Sequence, residues 1–157
     1  MTSVDGAAVA VQKPSRRSVH RTQWAAQFAV ASELCKRGYE VAFTMGNHPS
    51  VDLMVWSPGQ VPFGVDVKGL YRRNFWLVSA KPSHLNLFYI FAYVPDDAPN
   101  RFFILTQEQV NNGIVADSDR ARERAAAKGR TINEADFTGI CWAVAESYEN
   151  AWPTLPA

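Results

Sequence analysis

Two hydrophobic rhythms follow one another along the chain. Across residues 20–37, Trp24, Phe28, Ala31 and Cys35 recur at spacings of three and four, and Ala26, Val30, Leu34 and Arg37 form a second line. That period predicts an α-helix, and Gly38 supplies the left-handed residue that commonly ends one. The apolar positions run around most of the girth, which predicts cover on two sides. Beyond Gly38 the rhythm shortens to alternation. Residues 39–45, 51–57, 61–68 and 75–79 read as strands, then an aromatic strand over 87–94 and a sixth over 101–105. The turn sequence SPGQ predicts an antiparallel hairpin between the second and third strands, and residues 96–100 predict another between the fifth and sixth.

Thr106, with Gln109 three residues later, predicts a capped helix reaching about Val115. Residues 117–130, DSDRARERAAAKGR, carry charge and alanine but almost no large apolar side chain. They read as a solvated helix or a mobile excursion, with a solvated face favoured over a phosphate contact. Residues 138–151 predict a last helix, closed by Pro153. Residues 1–18 read as a flexible arm and 19–157 as a single domain. This order predicts an α/β (α+β) domain with a mixed central sheet flanked by helices.

Composition narrows the picture. A formal net charge of +1 excludes a polycation, so nucleic acid would have to be met by a local basic patch. No apolar run is long enough to cross a membrane. The basic residues of the first segment follow its small apolar run instead of preceding it, unlike a secretion signal. The expected location is cytoplasmic, with Cys35 and Cys141 as buried free thiols. The five tryptophans are expected mostly in the core. His20, His48 and His84 have no metal-ligand spacing, which gives a zinc site little support.

The candidate chemistry lies in the stretch VPFGVDVKG, residues 61–69. A strand period of two puts Gly64, Asp66 and Lys68 on one face, with Phe63, Val65 and Val67 on the other. The hairpin places Asp52, at the head of the preceding strand, roughly across from Asp66 or its neighbours. Two facing carboxylates repel unless a proton or a cation lies between them, and a hard ion such as Mg²⁺ suits oxygen ligands. Lys68 is placed to orient a water or to meet charge on a phosphate. Glu33, among alanines on the first helix, either shares that ion or faces solvent with Arg37 four residues on.

The ordered set of helix glutamate, strand aspartate, hairpin and D-x-K resembles the PD-(D/E)XK nuclease superfamily over about residues 19–94. FAVASELCKRGYEVAF is similar to its opening helix and first strand, HPSVDLMVW to the first half of its signature, and VPFGVDVKG to the second. The resemblance implies a restriction endonuclease-like core, with Glu33, Asp52, Asp66 and Lys68 catalytic. It implies Mg²⁺, with Mn²⁺ able to substitute, held by Asp52, Asp66, the Val67 carbonyl and Glu33. The implied reaction is phosphodiester hydrolysis of nucleic acid, with DNA the expected substrate. Pro49 stands three positions before Asp52 instead of beside it, and Gly69 and Leu70 follow Lys68. Arg72, Arg73, Lys81 and His48 are candidate phosphate contacts, with Arg16, Arg17 and Arg21 as further basic residues. A homodimer would bring two sites to a duplex. The alternative is an inactive nuclease-like domain that serves as an interaction module or subunit.

Overall fold

The computed structural model describes residues 16–133 and 139–157. Ser18 caps the first helix, α1 (Val19–Lys36), by accepting from the Arg21 N–H, and Gly38 follows its end at φ 88°. Five strands then build one sheet: β1 (Glu40–Phe43), β2 (Leu53–Trp56), β3 (Pro62–Leu70), β5 (Leu87–Tyr93) and β6 (Arg101–Thr106). Their order is β1-β2-β3-β5-β6, antiparallel throughout except for the parallel β3–β5 pair. Both predicted hairpins are present. The architecture is a mixed sheet flanked by helices.

Alternation on β3 and β5 sorts two cores. Val65 and Val67 of β3, with Phe88, Ile90 and Ala92 of β5, face α1 through Ala26, Val30 and Leu34, and Trp152 and Leu155 join that core from the end of the described chain. Tyr89 and Phe91 face the other way, toward Trp76, Phe103, Val110, Ile140 and Trp142. The helix comes unusually close to the sheet at Gly69, where a Cβ would lie 2.7 Å from the Ala26 Cβ and 3.0 Å from the Thr22 carbonyl oxygen.

Several expectations need correction. The strand foreseen over 75–79 shrinks to β4 (Trp76–Leu77) and pairs with β7 (Gly139–Ile140) outside the main sheet. Trp76 instead packs on Phe91, Phe103 and Trp142, outside the main sheet. The helix after Thr106 does not stop near Val115: α2 runs Gln107–Ala126 as one element, capped by the expected box. Val110, Gly113, Asp117, Ala121 and Ala125 line its buried side, so small residues replace the large apolar ones a helix normally shows there.

The last predicted helix breaks into β7, a single turn α3 (Trp142–Ala145) and two 3₁₀ turns, Glu146–Tyr148 and Trp152–Thr154. Asp117 accepts from both the backbone N–H and the thiol of Cys141, which ties this segment to α2. Thr138 lies outside the described residues. So do residues 1–15 of the expected arm, whereas Arg17 is anchored, donating to the Val94 carbonyl at 2.6 Å and pairing with Asp96.

Cover on two sides of α1 is not found. Phe28 is 59% exposed, stacks on Trp24 and lies tilted against Phe43. Cys35 is exposed, against the expected burial, because it faces away from the core line of Val30 and Leu34. Among the described residues no helix is long and apolar enough to cross a membrane.

Candidate functional site

The site begins where β2 parts from β3. The paired register ends at Leu53 opposite Val65, and Asp52 stands just beyond it, near enough to Asp66 for its charge to act on that carboxyl. The Asp52 backbone N–H still donates to the Val65 carbonyl at 3.0 Å. Beyond that point β3 has no neighbour on this side, and side chains take over the ladder. Asp52 Oδ2 accepts from the Val67 N–H at 2.8 Å. The Gln23 amide donates to the Val67 carbonyl at 2.7 Å, while its oxygen accepts from the Gly69 N–H at 3.3 Å. Gln27 donates to Asp52 Oδ1 at 3.1 Å. The backbone groups of a buried strand edge are thereby satisfied.

Asp66 projects from β3, beside Tyr89 in the register, and is 4% exposed. Lys68 Nζ lies 2.7 Å from Asp66 Oδ1, off the hydrogen-bond direction, so this buried oxygen accepts no well-directed hydrogen bond. Burial pushes the Asp66 carboxyl above its ordinary value, Lys68 opposes the shift, Asp52 adds to it, and Lys81 opposes it. Tyr89 is pushed up to about 12, first by burial and then by the Asp66 charge, and donates to Gln107 Oε1 at 2.7 Å. A cleft of about 210 Å³ opens over Asp66 and Lys68, with Ser79 and Lys81 on its wall.

Asp66, Lys68 and Lys81 line the cleft, while Asp52, hydrogen-bonded to the Val67 N–H, lies behind it, near enough for its charge to act on Asp66. Glu33 does not join them. Its carboxylate faces Lys36 at 3.1 Å and Arg37 at 3.7 Å, as the solvent-facing reading of the helix allowed. The helix residues that reach Asp52 are Gln23 and Gln27, one turn apart, which the sequence reading missed. Their signal was two amides at i and i+4 beside the buried line of Ala26 and Val30.

The basic candidates divide. Lys81 lines the cleft, and His48 lines a neighbouring cavity. Arg73 packs over Trp142 at 4.4 Å and pairs with Glu146 at 3.5 Å, while Arg72 lies over Tyr71 at 5.2 Å. Arg16 and Arg21 are exposed.

The donor chemistry at the site fits a hard divalent ion. The two carboxylates are oxygen donors, and Asp66 carries a buried oxygen without a well-directed partner. Mg²⁺ commonly binds through one or two carboxylates, keeping waters and taking substrate phosphate. Among the described residues no group of three or more His, Cys, Asp or Glu side chains is placed to hold a metal ion. Comparison with protein-family models, with curated proteins and with solved structures found no significant match.

Proposed function

We propose that this chain carries a metal-dependent phosphodiesterase site of the PD-(D/E)XK type, on a restriction endonuclease-like core, acting on nucleic acid and on DNA in particular. One observation carries the reading: where β2 leaves β3, Asp52 lies near enough to Asp66 for its charge to raise that carboxyl, and Lys68 stands 2.7 Å from Asp66. The sheet order, with its single parallel pair and α1 packed across it, supports the reading as well.

Asp52 and Asp66 would hold Mg²⁺ or Mn²⁺, which when bound supplies charge against the phosphate and acidifies a water. Gln23 and Gln27 fix Asp52 from behind. Lys68, a third of whose side chain is exposed, is free to turn from Asp66 toward a phosphate oxygen or an attacking water. Lys81 adds a second positive charge at the mouth of the cleft. A homodimer of such chains would set two sites on a duplex.

A second reading has its own support. The Val67 carbonyl already accepts from Gln23, and Glu33 is paired elsewhere, which thins the ligand set to that of an inactive interaction domain.

The deciding experiment incubates purified protein with single-stranded, duplex and branched DNA in Mg²⁺ or Mn²⁺. Wild type should cleave, while Asp66→Asn and Lys68→Ala, shown folded by circular dichroism, should not. Cleavage unchanged in both variants would overturn the first reading.

A further inference from the structure

A second cavity, about 620 Å³, adjoins the cleft and shares Lys81 with it. Its walls include Val51, Met54, Phe63, Pro82 and Leu87. Val51 lies so close on Gly64 that a Cβ there would stand 3.0 Å from the valine Cγ2, which makes a firm floor. The volume falls in the roughly 300–1,000 Å³ range of small-ligand pockets.

The polar lining includes the uncharged Ser50, Ser83, Asn86 and Gln107. It also holds Lys81, His48 and His84 and includes no carboxylate. The Nδ1 atoms of the two histidines accept from the backbone N–H two residues on, Ser50 and Asn86, each at 3.2 Å. A neutral imidazole whose Nδ1 accepts carries its proton on Nε2, so each ring keeps a donor for a ligand.

Lys81 sits on a loop but is held at both backbone atoms. Its N–H donates to Asn111 Oδ1 at 3.2 Å, and its carbonyl accepts from Asn111 Nδ2 at 2.7 Å. Asn111 also accepts from Gln107 at 3.0 Å, and Gln107 in turn holds Tyr89. A hydrogen-bond chain from beside Asp66 thus fixes the one lysine common to both cavities.

We propose that the larger cavity takes the base and sugar of one unpaired nucleotide, with its phosphate at Lys81. The apolar walls suit the faces of a base, and the Lys81 ammonium suits the phosphate. A base lodged between the apolar side chains of this open cavity has left the stack of a continuous duplex. The substrate is therefore single-stranded nucleic acid or an unpaired strand end. This rests on the phosphodiesterase reading and names the substrate of that same site.

The test measures fluorescence anisotropy in EDTA, using a labelled mixed-sequence single strand of about twenty nucleotides and the blunt duplex it forms with its complement. The single strand should bind about tenfold more tightly or better. Ser83→Trp, which fills the cavity from its exposed rim, and Lys81→Ala should each weaken single-strand binding about tenfold, with Asn111→Ala between them and wild type. Arg124→Ala, on the last turn of α2 and outside both cavities, should leave it unchanged.

Equal affinity for strand and duplex, or strand affinity unmoved by Ser83→Trp in a folded variant, overturns the proposal. Binding in EDTA needs no hydrolysis. Selective strand binding without cleavage sinks the hydrolytic reading alone, and cleavage with strand binding indifferent to Ser83→Trp sinks the pocket alone.

Discussion

Gln23 is paired with Val67 as one strand residue is with another. Its amide donates to the Val67 carbonyl at 2.7 Å and its oxygen accepts from the Gly69 N–H at 3.3 Å. A helix side chain thus completes a sheet edge that β2 abandons, and the same edge presents Asp52. Replacing Gln23 with leucine leaves two half-buried backbone groups unpaired and should cost about 1–3 kcal/mol. Gln27→Ala removes one hydrogen bond to Asp52 and should cost about 1 kcal/mol. Urea unfolding of the two variants checks the order.

Asp66 should cost the fold stability at neutral pH. Its folded-state carboxyl lies above the ordinary 3.8, so the folded chain binds the proton more tightly than the unfolded one. This group's contribution is then favourable in acid and lost as pH rises above 3.8 through the raised value. Asp66→Asn should show a urea midpoint above wild type at neutral pH, with the gain shrinking toward acid. The same variant should lose the calorimetric Mg²⁺ signal. A folded variant with wild-type Mg²⁺ uptake would remove Asp66 from the site.

Tyr89 should titrate late and as part of unfolding. Its folded-state value of about 12 lies above the ordinary 10.0, so its contribution is complete below 10.0 and lost as pH rises toward 12. Phenolate absorbance should contain a component that ionises in this window. Tyr89→Phe removes that component and leaves Gln107 Oε1, on a side chain 1% exposed, without its donor, at about 1–3 kcal/mol.

Glu33 should prove dispensable to the ion. Glu33→Gln breaks two pairs on the helix surface, worth about 0.5 kcal/mol each, and should leave Mg²⁺ and Mn²⁺ titrations at wild-type affinity. A tenfold loss of affinity would return Glu33 to the ligand set.

The two thiols should separate by reactivity. Cys35 is exposed, whereas burial and the hydrogen bond to Asp117 push the Cys141 thiol above its ordinary 9.0. Ellman's reagent should modify Cys35 in the native protein and Cys141 only slowly. Asp117→Asn should speed the second phase, because it loosens the tie between α2 and the segment around Cys141.

The sheet could be read from the chain because alternation on residues 61–68 and 87–94 reports burial on two faces, and both cores are there. The nearness of Asp52 to Asp66 follows from the local hairpin, although the regular pairing ends before it reaches them. Two things were out of reach. Uncharged Gln23 and Gln27 give no titratable signal, and their role depends on how far β2 extends, which periodicity does not set. The C-terminal segment hid its form because Trp142 and Ala145 pack onto α2 and the sheet as short turns, where apolar spacing alone suggested a helix. The surface stack of Trp24 and Phe28 misled in the opposite sense: aromatic spacing signals an apolar face, and nothing in it says whether that face is covered.

Trp152 and Leu155 have a consequence for how the chain is made. They complete the core that α1 and the first strands begin, so residues far apart in sequence must meet before that side of the sheet is sealed. Contacts of such long separation slow folding. During synthesis, α1 and β1–β3 emerge first and wait with an apolar surface open. That nascent intermediate, more than the finished molecule, is where chaperones or aggregation should act.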